Sequence, residues 1–377
     1  MRGRSRRLKL LSTAAAVLLG AAVVGSGSAG LPLTAFWPDS PAQISNRAIT
    51  EPGCCSGFSW KEDSSGVTFF DREGDDQQGL WALDTITLEK TFHSPAPELT
   101  SPSGRYRIER TERPDSAILT DTWLDQTWEF SSGGPYLLFS PAEGRVVFSV
   151  REPGSPPVWA RRAAIYVSSV DGSKIRLLTR MFGGPIGWFP DGDRVLLYGR
   201  QTLEELSGIW IYSLGSGELE QIAGGDFLRR VSMSPGGRFV AFVRSFTEDP
   251  DDSGLWVYET AARTTRRIPM IGSYRWHPNG EGLLVIPPRP GGEGDHTIWW
   301  ADPTSGETVE VTENGPGNLR IANFEWQLSP DGSRAVYRHA DDLSLWVVDF
   351  GEALDRVLDE RPNAATPSRD CRESSGR

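Results

Sequence analysis

The sequence predicts an all-β chain folded as a single β-propeller of four-stranded blades. Three observations predict it. A short turn recurs with prolines at 102, 141, 190, 235, 278 and 330, spaced 39 to 52 residues apart. Each turn is followed by a β-rich run carrying an aliphatic residue and then, in most copies, an aromatic one. Gly (41) and Pro (27) are abundant, and no long amphipathic helical stretch interrupts the middle of the chain. A four-stranded unit cannot cover both of its own apolar faces, whereas a ring of such units buries each face against a neighbour.

Residues 1–29 stand apart from the repeat. Arg2, Arg4, Arg6, Arg7 and Lys9 precede an uncharged apolar run from Leu10 to Val24, and small residues follow to Ala29. That order is expected of a secretory signal, with an uncleaved membrane anchor as the alternative. Either form places the rest of the chain outside the cytoplasm: periplasmic, at the cell surface or secreted, and membrane-bound only through this segment. Residues 30–52 are then expected to be a linker, 53–360 the propeller, and 361–377 a polar tail.

The turns are Ser101-Pro-Ser-Gly104, Ser140-Pro-Ala-Glu-Gly144, Phe189-Pro-Asp-Gly192, Ser234-Pro-Gly-Gly237, His277-Pro-Asn-Gly280 and Ser329-Pro-Asp-Gly332. Proline presets φ at the second turn position, Asp or Asn bonds its own backbone, and Gly takes the positive φ that closes the corner. Turn chemistry accounts for every position. A catalytic motif would be needed once and not six times, so these are expected to be corners. The paired landmarks are Leu80-Trp81, Ile118-Leu119, Ile165-Tyr166, Ile209-Trp210, Leu255-Trp256, Ile298-Trp299 and Leu345-Trp346. Seven landmarks against six turns predict seven blades, with a degenerate first turn at Lys61–Gly66 and six blades as the alternative. Each unit reads as strands A to D. In the fifth, Arg238–Arg244 is apolar on both faces, as a strand buried on both sides must be. The recurrent tryptophans are expected to be interblade core, with a sugar-binding stripe as the lesser reading.

The pattern resembles the TolB-like, WD-type propeller repeat over residues 53–360. Ser329-Pro-Asp-Gly332 and Phe189-Pro-Asp-Gly192 match best, and the unit at Pro97–Phe130 departs most. The resemblance implies the fold and leaves function open. Similar repeats occur in periplasmic envelope proteins, in lipoproteins and in the gating propellers of prolyl-oligopeptidase-like hydrolases.

In antiparallel blades the A–B and C–D turns share one face of the ring, and the B–C and D–A loops share the other. The B–C loops are acidic, with Asp71–Asp76, Glu248–Asp252 (including Asp249, Asp251 and Asp252), Glu293–Asp295 and Asp341-Asp342. The whole chain carries 39 basic residues against 50 acidic ones, a net charge of −11, and five of the basic ones lie in the first nine residues. Such a body repels nucleic acid and is compatible with a basic partner or cations, with solvated loop charge as the plainer reading. From the D–A side, Arg229, Arg230, Tyr274, Arg275, Asn318 and Arg320 are candidates for the channel mouth.

No metal or cofactor is expected. His93, His277, His296 and His339 form no zinc-ligand spacing, and the Asp249–Asp252 run lacks calcium-loop spacing. Phosphate-loop and dinucleotide fingerprints are missing, no Gly-x-Ser-x-Gly elbow occurs beyond the leader, and no hydrolase domain is expected after Arg361. The expected function is therefore non-catalytic binding of a protein, peptide or cell-envelope component through the B–C/D–A face. The alternative is a propeller hydrolase or lyase with its site at the channel mouth. Of three cysteines, Cys54 and Cys55 precede the first blade and Cys371 follows the last. A disulfide from Cys54 or Cys55 to Cys371 would staple the ring, with a Cys54–Cys55 bond or free thiols as alternatives.

Overall fold

A computed structural model describes residues 44–360 apart from 74–76, 95–98, 114–115, 132–136, 153–160, 226, 246, 248, 290–293, 314 and 316. The expected signal or anchor, the tail 361–377 and Cys371 lie outside the described residues, as do Asp75, Asp76, Glu248 and Glu293. None of the described helices is long and apolar enough to cross a membrane.

The chain is a β-propeller. Blade one is β2 (Ser56–Trp60), β3 (Gly66–Glu73), β4 (Gln77–Asp84) and β5 (Lys90–Ser94). Blade two is β6 (Leu99–Thr100), β7 (Tyr106–Arg110), β8 (Ser116–Asp121) and β9 (Gln126–Ser131). Next come β10 (Leu138–Phe139), β11 (Arg145–Arg151), β12 (Ala163–Ser169), β13 (Ile175–Trp188), β14 (Arg194–Arg200), β15 (Gly208–Ser213) and β16 (Leu219–Gly224), joined in one seven-stranded sheet. That sheet is two blades sharing a strand. The first half of β13 pairs with β12 as far as Met181, and the second half pairs with β14 from Phe182 onward. The uninterrupted β13 is why the sheet count is six while the unit count is seven.

Blade five is β17 (Leu228–Met233), β18 (Phe239–Arg244), β19 (Gly254–Glu259) and β20 (Thr264–Ile268). Blade six is β21 (Ser273–Trp276), β22 (Leu283–Ile286), β23 (Trp299–Ala301) and β24 (Thr308–Glu310). Blade seven takes β25 (Ile321–Leu328), β26 (Arg334–His339) and β27 (Leu345–Asp349) from the C-terminal end, and its fourth strand is β1 (Ser45–Ala48) from the N-terminal end. Residues 45–48, expected in a linker, are thus part of the ring. After β27 the chain forms α1 (Gly351–Asp359), which packs Ala353 and Leu354 on the core between blades six and seven. The apolar spacing of Ala353, Leu354, Val357 and Leu358 suits a short packed helix of nine residues better than a strand.

Six apolar clusters sit between successive blades. They join seven to one, two to three, three to four, four to five, five to six and six to seven. Trp81, Trp210, Trp256, Trp299 and Trp346 each belong to or pack against one of them. The recurrent C-strand tryptophans are therefore interblade core. Phe239, Val240, Ala241 and Phe242 of β18 are all at most 1% exposed, which is the two-faced burial that the strand's composition requires.

Candidate functional site

The first strand of each blade forms the inner wall of the ring, because first strands of neighbouring blades touch: β2 with β25, β13 with β17, and β21 with β25. Indole N–H groups stitch this wall. Trp60 donates to the Gln327 carbonyl at 3.0 Å, Trp188 to the Leu138 carbonyl at 2.8 Å, Trp276 to Ser232 Oγ at 3.1 Å, and Trp326 to Ser273 Oγ at 3.0 Å. Each bond runs to the preceding blade. This second tryptophan set has a sequence signal that the C-strand set obscured: Trp60, Trp188 and Trp276 each stand immediately before an A–B turn.

The A–B turns themselves are structural. All seven close with a backbone bond from the fourth residue to the first, at 2.7 to 3.0 Å. The fourth residue has positive φ throughout, including Ser64 (58°) in the degenerate first turn and Glu143 (52°) in the third. In that third turn Glu143, and not Gly144, holds the left-handed position. Its carboxylate then accepts from the Ser103 amide at 2.7 Å and from Ser101 Oγ at 3.0 Å in the preceding turn. Neighbouring turns pack so closely that a Cβ on Gly237 would sit 2.5 Å from Pro190 Cδ. Asp331 shows the electrostatics of the corner. Burial pushes its pKa up, but hydrogen bonds from Ser329 and Ser333 outweigh burial and hold it at about 2.

The opposite end of the inner wall is irregular. β2, β13, β17 and β25 all shift register there, as bulges beside functional sites often do. In β17, Arg230 and Val231 stand opposite Phe242 alone, and Arg230 adopts φ 53°. Tyr274 holds that bulge in place: its hydroxyl bonds the Arg230 carbonyl and lies 2.9 Å from the Ala241 carbonyl. Arg230 Nη1 donates to Ser273 Oγ at 3.3 Å. Arg275, one strand further round, donates to the Tyr274 carbonyl at 2.8 Å and the Trp326 carbonyl at 2.7 Å, with its guanidinium 5.0 Å from the Trp326 ring centroid. Burial, and then the nearby Arg230 charge, lower the Arg275 pKa below the usual guanidinium value.

The structure separates the other predicted residues from this pair. Tyr274 is 5% exposed and serves as a core strut whose pKa burial raises far above the phenol range. Arg320 is paired with Asp341 at 2.7 Å. Asn318 is exposed, but its groups tie the wall to its surroundings: its amide donates to Asp295 at 2.7 Å, its side chain meets His339 Nε2 at 3.3 Å, and its carbonyl accepts from Asn46 at 3.2 Å. Arg229 is exposed at the start of β17. These residues are equivalent in the sequence; Ser273, which accepts from both Arg230 and Trp326, is not among those the sequence points to. A small polar residue opening an A strand gives no distinguishing signal.

The acidic rim is partly neutralised by its own loops. Asp249 accepts the Asp251 amide at 2.8 Å and begins a single 3-10 turn at Pro250–Asp252. Asp342 accepts from Ser344 Oγ at 2.6 Å, which lowers its pKa. Asp71 pairs with Lys90 at 3.1 Å. Asp251 and Asp252 remain exposed carboxylates of the rim.

Cys54 and Cys55 are bonded to each other, the alternative to a bridge with Cys371, which lies outside the described residues. The ring is stapled instead by β1, in register with β27 from Ser45 opposite Asp349 to Ala48 opposite Trp346. Asn46 also accepts from the Tyr337 hydroxyl at 2.8 Å across 291 positions of sequence. The two cysteines and Asp71 are the one described group with three potential metal ligands in mutual reach, but the disulfide occupies both sulfurs. A cavity of about 610 Å³ opens beside Cys54, Asp71 and Lys90 at this seam.

The described histidines with ring partners are structural. His296 Nδ1 lies 3.1 Å from the Ile321 amide, and burial lowers its pKa. His339 stacks on Trp346 at 4.6 Å, and His277 meets Trp300 edge-on at 5.5 Å.

No family model matches the chain, and no curated protein matches it. Solved structures do. An oligogalacturonate lyase in complex with manganese aligns with TM-score 0.57 at 10% identity, covering 83% of this chain and 94% of that one. The oligogalacturonate lyase of Vibrio parahaemolyticus aligns with TM-score 0.56 at 9% identity, again over 83% and 94%. TolB of Acinetobacter baumannii aligns with TM-score 0.39 at 14% identity over 78% of each chain. The chain is thus similar in fold to the oligogalacturonate lyase propellers, at identities that speak to fold alone.

Proposed function

We propose that this chain is an exported, non-catalytic propeller that binds a protein, peptide or cell-envelope component through its B–C/D–A loop face. The observation that carries the reading is the contrast at the inner wall: the A–B end is packed turn against turn, whereas the loop end holds Arg230 at positive φ beside a second arginine. Backbone strain retained next to uncompensated charge is typical of binding surfaces. Loops on a rigid scaffold are also where recognition concentrates. The basic n-region and apolar run of residues 1–24 support export.

The test is site-resolved crosslinking in an envelope extract. A photoreactive residue at Asp252 or Arg229 should trap a defined partner, and one at Pro102 or Pro141 on the turn face should not. Trapping from both faces alike would sink the reading. The lyases that share the fold supply a counter-assay: turnover of oligogalacturonate, abolished by substituting Asp295 or the β25 residue Glu325, which pairs with Arg338 at 3.4 Å, would replace binding with catalysis.

A further inference from the structure

Arg230 and Arg275 are linked across blades five to seven through Ser273 and Trp326, and no carboxylate among the described residues pairs with either. Arg275 is held by two backbone carbonyls and an indole ring, and Arg230 by a hydroxyl. Two guanidinium groups held together on a half-buried wall repel each other, and the arrangement is relieved when an anion joins them. Ser273 provides an independent sign. It is 2% exposed, and its oxygen already accepts from Trp326 Nε1 at 3.0 Å and from Arg230 Nη1 at 3.3 Å. A hydroxyl has two lone pairs and one proton, so both acceptor sites are used and the proton is left to donate. No described residue accepts it, and an unmade buried donor is costly. The bulge aims these donors. Without the extra residue in β17, Arg230 would be in register with the sheet; with it, the left-handed backbone brings the guanidinium to Ser273.

We propose that Arg230, Arg275 and the Ser273 hydroxyl form a carboxylate-binding site, which receives an acidic side chain or chain terminus of the bound protein or peptide. This deepens the binding reading above and uses the same end of the ring. It assigns the recognition to an acidic group at the inner wall, where the rim alone would select a basic one. Guanidinium forks match the planar carboxylate, and the hydroxyl supplies a third donor.

The test titrates the full chain with glutarate at constant ionic strength, against chloride and phosphate, following the thermal unfolding midpoint. A saturable rise with glutarate is expected, absent with chloride. Arg230→Met and Arg275→Lys should each weaken half-saturation about tenfold or more, the loss of one charge-assisted pair. Ligand-free Arg230→Met should unfold no earlier than wild type, because it removes a like-charge contact; a merely structural arginine would lower the midpoint. Arg230 is exposed, so this variant tests the site even if Arg275→Lys folds poorly. No glutarate effect, an equal effect in Arg230→Met, or saturation by phosphate alone would each overturn the site. Glutarate binding without any crosslinked partner leaves the site standing and defeats the partner reading. A crosslinked partner without glutarate binding does the reverse.

Discussion

At the turn end of the ring, adjacent blades meet through prolines, glycines and backbone, with a Cβ on Gly237 excluded by the next turn's Pro190. At the loop end, the same inner strands bulge, spread and present long charged side chains. The contrast teaches a division of labour within one repeat. The turn end sets spacing between blades and tolerates little, so its residues recur. The loop end is relieved of that duty, so its residues differ from blade to blade and can specialise. Arg230 sits where Gly57 sits in blade one: both have φ near 55° at a bulge, but only one carries a side chain able to recognise anything.

The largest expected effect lies within the turn end. Gly237→Ala and Gly104→Ala impose the same unfavourable φ, 70° and 73°, but only Gly237 has a neighbour within reach of the new Cβ. Chemical denaturation should show about 1 kcal/mol lost for Gly104→Ala from backbone strain and about 3 kcal/mol for Gly237→Ala, which adds overpacking. Equal losses would show that the turns do not bear on one another. Next, Trp188→Phe keeps the ring's bulk and removes the indole donor to the Leu138 carbonyl, so about 1 kcal/mol should be lost. At the loop end, Asp249→Ala removes the cap of an exposed 3-10 turn, and about 0.5 kcal/mol is expected. A larger loss there than at Trp188 would break the division between rigid and permissive ends.

The smallest effect is one of pH. Asp331 is depressed from 3.8 to about 2 in the fold, so its contribution is present above its unfolded pKa and disappears as pH falls through about 2. Acid unfolding of Asp331→Asn should lack that component between about pH 4 and pH 2. Because the carboxylate is half exposed, the difference should stay under about 1 kcal/mol.

Much of the fold was legible because its determinants are local. A proline two positions before a positive-φ residue makes the same corner wherever it occurs. An Ile-Trp or Leu-Trp pair in a β-rich run needs the same apolar cover in every blade. Even the weak first turn was found, although Ser64 stands where Gly does in the best copies. The candidate site was legible only as a neighbourhood. Six residues near the D–A loops are equivalent in the sequence; packing makes Tyr274 a strut, gives Arg320 to Asp341, and leaves Arg230 and Arg275 together with Ser273. Side-chain partners across blades are set by register and bulges, and a single sequence displays neither.

By itself, then, the sequence determined the repeat, the corners and the buried tryptophans, since each follows from turn geometry or from strand faces that must be covered within about 50 residues. Tertiary structure alone decided how the ring closes. It drew β1 into blade seven, joined Cys54 to Cys55 and ended the chain's last blade in a helix. The pairing of β1 with β27 joins segments some 300 positions apart, and which distant edge a short strand completes depends on the open hydrogen-bonding edge that the folded ring presents.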